Sequence, residues 1–209
     1  MRALLNEYGY EDTFLICTEW NYFWIRTGLW AEFELEGGEY LFEEMFKTAS
    51  SEVGAAYSLA QMMTFQQSEV KAATMHRADA LSMYCTMFNI YGVPQKQFSA
   101  FYAYDALRRG KTEMAVTEHG AHPGVYVMAS AHEDYACVAI SQYRGAWKNY
   151  TVELKGLEAD SVYTAEFYLT DDRRNFELVH TQEKAGKEIF LGRYLKENSI
   201  LVIKIRKNS

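Results

Sequence analysis

Seven strand-like runs follow one another in the second half of the chain, and they restrict its fold more than any other feature. The runs are GVYVMASA, YACVAISQY, NYTVELKGL, VYTAEFYLT, FELVHTQ, KEIFLG and ILVIKIR, and short polar turns separate them. Several of them alternate apolar and polar residues, which is typical of strands with one buried face. So many short strands in close succession predict an antiparallel β-sandwich, which we place at residues 111–209.

The first half of the chain has a different pattern, in which apolar strands alternate with helices. The run TFLIC at 13–17 is continuous and apolar, as in a buried parallel strand, and VKAATMHRA at 70–78 is the next strand-like run. Apolar residues at helical spacing predict a helix at 51–67 and another at 96–110. Strand–helix–strand–helix is the order found in parallel sheets. Residues 1–110 are therefore expected to form an α/β segment.

Charge and composition exclude several classes of function. The chain of 209 residues has 28 acidic and 21 basic side chains, a net charge of -7, and no cluster of Lys and Arg. Nucleic acid demands a basic surface, so we expect no nucleic-acid partner. No apolar run approaches the ~20 residues of a membrane-spanning helix. The start of the chain lacks the apolar core of a signal peptide, and the three cysteines are far apart, so we expect a cytoplasmic protein.

The sequence offers little support for a metal or another cofactor. His119 and His122 lie three residues apart, but they fall in a stretch between strands that is more typical of a turn. There is no CxxC pair, no glycine-rich phosphate loop and no Ser–His–Asp arrangement in the sequence. We therefore expect neither a bound metal nor a cofactor.

The first strand-like run ends in a carboxylate. In the stretch FLICTEWNYFW, Glu19 directly follows the apolar run, Asn21 comes two residues later, and Trp20 and Trp24 are among the aromatic residues around them. In barrels of parallel β/α units, catalytic residues lie at the carboxyl ends of the strands, and His76 follows the second strand in a comparable way. The alternative interpretations are a solvated glutamate at a strand end and a histidine of the core.

These stretches resemble a known family. ICTEWNYF, the helix SEVGAAYSLAQMMTF, the strand VKAATMHRA and the helix KQFSAFYAYDALRRG occur in the order of the last two β/α units of a retaining glycoside hydrolase barrel. They are similar to the clan that contains β-xylosidases, α-L-iduronidases and α-L-arabinofuranosidases, many of which carry a C-terminal β-sandwich. The resemblance covers nearly all of the chain. It implies a TIM-type (β/α)8 barrel of which two units are present, with Glu19 as the nucleophile. Carbohydrate would then contact Trp20, Asn21, Trp24 and His76.

The chain departs from this family in one large respect. The acid/base of the family is a glutamate in an Asn-Glu pair at the end of the fourth barrel strand, and no such strand precedes Glu19. The Asn6–Glu7 pair lies in a predicted helix and is no equivalent. Retaining hydrolysis needs two carboxylates about 5–5.5 Å apart. We therefore expect a fragment or relic of a hydrolase of xylose- or arabinose-type glycosides that is inactive alone.

Three explanations of the missing strands stay open. The chain is the C-terminal piece of a longer enzyme, or a relic that stands alone, or other chains supply the rest of the barrel. A non-catalytic carbohydrate-binding or structural interaction protein is the alternative function. Because two parallel strands leave unpaired edges, we also expect a homo-oligomer or an association with the missing barrel portion.

Overall fold

A computed structural model describes residues 1–22, 39–78, 86–120, 122–146 and 148–208. The elements before the large sheet are α1 (Arg2–Glu7), β1 (Leu15–Trp20), α2 (Glu39–Ala49), α3 (Glu52–Gln66), β2 (Val70–Met75), a 3-10 helix (Lys96–Phe98) and α4 (Ser99–Arg109). The strands that follow are β3 (Thr112–Met114), β4 (Val125–His132), β5 (Tyr135–Gln142), β6 (Lys148–Leu154), β7 (Val162–Thr170), β8 (Glu177–Ala185), β9 (Ile189–Leu195) and β10 (Ser199–Lys207).

A large antiparallel sheet dominates the second half of the chain. Its six strands have the order β3-β4-β5-β10-β7-β8, and β6 pairs with β9 in a separate antiparallel sheet. Each of the seven runs predicted as strands overlaps one of the strands β4 to β10, so these strand predictions are confirmed. The short strand β3 was not predicted.

The large sheet has two apolar faces, and β10 shows why its sequence is an almost unbroken apolar run. Successive side chains of a strand point to opposite faces of the sheet. Leu201 and Ile203 lie in a core that β6 and β9 share with the sheet, whereas Ile200 and Val202 lie in a core that the sheet shares with α3 and α4. The helices of the first half therefore cover one face of the sheet of the second half.

The helix α3 lies between this large sheet and the strand β2. Ser51 is its N-cap, and the Ser51 hydroxyl accepts a hydrogen bond from the backbone N–H of Val53 at 3.2 Å. Buried residues lie on most sides of α3, and away from its ends only a line through Val53, Tyr57, Gln61 and Thr64 is partly or fully exposed, as is usual for a helix with partners on more than one side. In α4, Ala103 and Leu107 are buried, whereas Tyr102 is 51% exposed.

The strands β1 and β2 form a two-stranded parallel sheet. Leu15 pairs with Val70 and Cys17 with Ala73, so the predicted parallel and adjacent arrangement is confirmed. The prediction that this first strand is buried is wrong, because Ile16 is 59% exposed. The reason is that, within the described ranges, no other strand pairs with β1 or β2.

Candidate functional site

The carboxyl ends of β1 and β2 bring most of the predicted site residues to one edge. Glu19 and Trp20 are the last two residues of β1, and Asn21 follows them. The second strand ends at Met75 rather than at 78, so His76 lies just beyond it. The backbone N–H of His76 donates to the carbonyl of Trp20 at 2.8 Å. The fifth predicted residue, Trp24, lies outside the described residues.

An irregularity in the pairing of β1 sets the direction of Glu19. Leu15, Cys17 and Trp20 of β1 are half-buried, whereas Ile16, Thr18 and Glu19 are exposed. The Trp20 ring packs edge-on against Phe65 in α3, with 5.7 Å between ring centroids. Residues three apart in a regular strand face opposite sides, so the register shift between Cys17 and Trp20 is what turns both towards α3. Glu19, next to Trp20, therefore points away from α3 and is exposed.

The carboxylate of Glu19 is open to ligands, whereas the Trp20 ring is not beside it. No hydrogen bond or ion pair joins the Glu19 carboxylate to another residue in the described part of the chain. Trp20 was predicted to contact carbohydrate. The structure places its indole on the helix side of the strand, on the opposite face from Glu19.

Asn21 ties the two strand ends together. Its side-chain Nδ2 donates to the carbonyl of His76 at 2.5 Å, and its Oδ1 accepts from the backbone N–H of Tyr22 at 2.7 Å. The same Oδ1 also accepts from Nε2 of Gln97 in the 3-10 helix, at 2.8 Å. Both ends of the Asn21 amide are thus bonded within the protein. The predicted contact between this amide and carbohydrate stays a prediction.

Sequence reasoning missed the buried polar residues behind Asn21. Gln97 is fully buried, and its Nε2 donates also to the hydroxyl of Ser58 in α3 at 3.1 Å. Thr86 is buried too and accepts a longer bond from Nδ2 of Asn21, at 3.4 Å. Ser58 stands out in the sequence as a polar residue among alanines. No sequence pattern pairs Gln97 with Asn21, which lies 76 positions earlier.

A cluster of three tyrosines and one arginine joins the end of β1 to the large sheet. Tyr22 lies 5.2 Å from Tyr57 and 6.2 Å from Tyr143, measured between ring centroids. The Arg144 guanidinium lies over Tyr143 at 5.3 Å from the ring centroid and donates to the Tyr22 hydroxyl at 3.4 Å. Burial, with Tyr22 as a further cause, raises the pKa of Tyr143 to about 12. The segment after β1 is therefore anchored to the turn after β5.

A cavity of about 310 Å³ lies between β2 and the helices α3 and α4. Trp20 contributes to its wall, and the Trp20 indole nitrogen is buried without a hydrogen-bond partner among the described residues. The other lining residues are Met62, Phe65, Gln66, Val70, Lys71, Ala72, Ala73, Met75, Phe101 and Tyr104.

The described residues offer no metal site and no membrane-spanning helix. They contain no group of three or more His, Cys, Asp or Glu side chains that could hold a metal ion. His119 and His122 are exposed. In the same residues, no helix is long and apolar enough to cross a membrane.

Comparison with known proteins gives a match in structure only. No family model matches the sequence, and no curated protein matches it closely. A glucosidase from Croceicoccus marinus matches the whole chain with a TM-score of 0.77 at 20% identity. The GH39 enzyme from Xanthomonas axonopodis pv. citri covers 98% of the chain with a TM-score of 0.69 at 10% identity. A monomeric beta-xylosidase from Caulobacter crescentus CB15 covers all of it with a TM-score of 0.66 at 12% identity.

The chain has the fold of the matched part of these glycoside hydrolases. It spans about half of them, namely 49%, 47% and 48% of their respective chains. The predicted resemblance to glycoside hydrolases is confirmed at the level of fold.

Proposed function

We propose that this chain carries the nucleophile of a retaining glycoside hydrolase, and that Glu19 is this nucleophile. In this proposal β1 and β2 are two units of a (β/α)8 barrel, and the two antiparallel sheets are the β-sandwich that follows it. The observation that carries the proposal is the direction of Glu19. It is an exposed carboxylate at the carboxyl end of a parallel strand, the end where barrels of this kind hold their catalytic groups.

The chemistry assigned to Glu19 is attack on the anomeric carbon of a glycoside. The attack forms a covalent glycosyl-enzyme and expels the leaving-group oxygen, which takes a proton from a second carboxyl group, about 5–5.5 Å away and protonated at this stage. Water then hydrolyses the intermediate, with the second carboxylate now acting as base. Within the described residues no third strand joins the β1–β2 sheet. We therefore assign the second carboxylate to a β/α unit of the barrel other than the two that β1 and β2 form.

The proposed substrates are xylose- and arabinose-type glycosides. The sequence resemblance supports them, and a beta-xylosidase is among the structures that match. A glucosidase is another, so glucosides belong in the same test. The beta-xylosidase is described as monomeric, which supports completion of the site by a different stretch of polypeptide rather than by a second copy of this one.

The test compares the chain alone with the chain plus the polypeptide encoded immediately upstream of it. We expect no turnover of aryl xylosides, arabinofuranosides or glucosides by the chain alone, and turnover by the pair. Glu19→Gln should abolish that turnover, whereas Glu44→Gln in α2, where the side chain is also exposed, should not. Turnover by the pair that survives Glu19→Gln would contradict the assignment. Sugar binding without any turnover would favour the non-catalytic alternative.

A further inference from the structure

The β6–β9 sheet has one buried face and one exposed face. Ile189 and Leu191 of β9 lie in the core that this sheet shares with the large sheet. Successive side chains of a strand point to opposite faces, so Phe190, Gly192 and Tyr194 lie on the other face, which we call the outer face. Phe190 is 58% and Tyr194 48% exposed. Large aromatic side chains held together on one exposed face indicate a surface that binds a ligand or a partner.

The two aromatic side chains stand apart on this face, with polar side chains beside them. They are four residues apart in β9, which at ~3.3 Å per residue is a separation of ~13 Å, and Gly192 lies midway between them. Residues directly opposite one another in an antiparallel pair point to the same face. Three exposed residues of β6 lie opposite these three positions of β9, namely Asn149, Thr151 and Glu153. The outer face is therefore a strip with an aromatic ring near each end and hydrogen-bonding groups along one side.

The structure gives no internal reason for a glycine at position 192. Its φ is not positive, and a Cβ there would meet only the carbonyl oxygen of Tyr150, at 3.8 Å, among the described residues. The pairing of β6 with β9 runs without a register shift, so no bulge requires a glycine either. A glycine inside a strand weakens it, and in a regular strand it often marks a position that a ligand or another backbone approaches closely. Gly192 is thus a second observation that points to a ligand on the outer face.

The chemistry of the outer face fits an uncharged carbohydrate. The faces of aromatic rings carry partial negative charge and attract the C–H bonds of a sugar ring, while amide and hydroxyl side chains exchange hydrogen bonds with sugar hydroxyls. The carboxylate of this face, Glu153, pairs with Lys155 at 3.2 Å, so an anion finds no net positive charge here. A second copy of the chain would need ~800 Å² of surface on each partner, whereas this strip is only ~13 Å long and ~10 Å wide.

We propose that the outer face of the β6–β9 sheet is a binding site for an oligosaccharide of uncharged sugars. Phe190 and Tyr194 stack on two of its sugar rings, the ligand crosses Gly192 between them, and the polar side chains of β6 bond its hydroxyls. Glu19 belongs to a different sheet, and the site does not depend on the proposed function. A site of this kind holds a polysaccharide on the protein without cleaving it.

The test titrates the chain with xylohexaose and, separately, with cellohexaose in a calorimeter. We expect saturable binding of at least one of these uncharged oligosaccharides. The double variant Phe190→Ala/Tyr194→Ala should weaken it by about tenfold or more, because both stacking rings are removed. The matched control is Tyr126→Ala in β4, where the aromatic side chain is also exposed, at 37%, and it should bind like the unmodified chain. Glu19→Gln should bind equally well.

The variant Gly192→Val separates binding from folding. Valine favours strands over glycine, and its Cβ has space at this position, so thermal unfolding should show unchanged or higher stability. The same side chain would stand between Phe190 and Tyr194, so oligosaccharide binding should weaken by about tenfold. A less stable Gly192→Val protein would show that the fold requires this glycine, and unchanged binding would show that the ligand does not cross it. Either result would overturn the site as proposed.

Three further results would overturn it. They are no binding of either oligosaccharide, binding that tolerates the double variant, and self-association that the double variant removes in a chain that binds no oligosaccharide. Glu19 separates this proposal from the proposed function. Binding that Glu19→Gln abolishes belongs to the site at Glu19 and contradicts a site on the outer face. Binding that requires Phe190 and Tyr194 supports the outer face, whether or not Glu19-dependent turnover is found.

Discussion

At the residue scale, two near neighbours in the sequence have opposite environments. Glu19 is exposed, and its carboxylate contacts no described residue through a hydrogen bond or an ion pair. Asn21 is bonded on both sides of its amide, to His76 after β2 and to Gln97 in the 3-10 helix. We infer that Glu19 is available for chemistry, whereas Asn21 holds the strand ends in place.

The first prediction separates these roles by stability. Glu19→Gln should change the free energy of unfolding by less than about 0.5 kcal/mol, as is usual for exposed positions without partners. Asn21→Ala should lower it by about 1–3 kcal/mol, because the buried amide of Gln97 loses an acceptor. Urea unfolding of both variants measures the difference. A large loss for Glu19→Gln, or none for Asn21→Ala, would mean that the two environments are misassigned.

At the element scale, α3 is the centre of the packing. It contacts β2 on one side and β5 and β10 of the large sheet on another. Its start is also tightly packed, since a side chain added at Gly54 would overlap the backbone of Ala49 at the end of α2. A glycine is needed at position 54 because α2 and α3 approach each other closely there, and not because its backbone conformation requires one.

The second prediction concerns that approach. Alanine stabilises a helix interior by about 1 kcal/mol relative to glycine, so propensity alone predicts that Gly54→Ala is stabilising. We expect the opposite, a loss of about 1–3 kcal/mol, because the new methyl group has no space. Thr64→Ala, at an exposed position of the same helix, is the control and should be neutral or slightly stabilising. Thermal unfolding measures both, and a more stable Gly54→Ala protein would refute the packing described for α3.

The third prediction concerns β5 and alkaline pH. Burial raises the pKa of the Cys137 thiol from 9.0 to about 12, against smaller lowering effects of Tyr135 and Lys204. The folded state therefore holds a proton that the unfolded state loses above pH 9. The contribution of the protonated Cys137 thiol to the free energy of unfolding is present in full below pH 9. It is lost as the pH rises from about 9 to 12, at up to about 1.4 kcal/mol per pH unit.

Cys137→Ala should remove this part of the pH dependence while lowering stability by roughly 1–2 kcal/mol at neutral pH. The neighbouring truncation Val138→Ala, also buried, should lower stability without changing the slope. Denaturant unfolding between pH 8 and 10.5 measures the slopes. Equal slopes for Cys137→Ala and the unmodified protein would contradict the prediction.

How far the sequence predicts these elements depends on the distance over which they interact. The strands of the large sheet and the helix α3 follow from local periodicity and were predicted. The register shift that turns Trp20 towards α3 depends on packing with Phe65, and no local pattern encodes it. Gln97 was missed for the same reason, since its partners lie far away in the chain. The prediction that β1 is buried was wrong, because an apolar sequence does not reveal whether further strands are present to cover it.

At the scale of the whole molecule, the two halves of the chain share a core, and one small sheet is left incomplete. Met128 and Ile200 of the large sheet pack in one cluster with Leu59 of α3 and Ala103 of α4. Among the residues that the structure describes, nothing corresponding covers the other face of the β1–β2 sheet, where Ile16 is exposed. This contrast predicts that the chain folds stably and associates through the exposed face of the β1–β2 sheet.

The fourth prediction is that the chain, purified alone, self-associates through this surface at micromolar concentration. Burying a few hundred Å² of apolar surface contributes several kcal/mol at about 25 cal/mol per Å². Light scattering should give a mass above that of one chain, and Ile16→Lys should shift it towards the monomer. A clean monomer of the unmodified chain would show that the open face is covered.

The central claim is that Glu19 is the nucleophile, and covalent labelling tests it most directly. A glycoside with fluorine at carbon 2 and an activated aryl leaving group traps the glycosyl-enzyme, because the leaving group departs without protonation and the fluorine slows hydrolysis of the intermediate. Applied to the chain together with its upstream-encoded polypeptide, it should add one sugar to the peptide that contains Glu19, as seen by mass spectrometry, and none after Glu19→Gln. A label on any other carboxylate, or turnover with Glu19 unlabelled, would contradict the account.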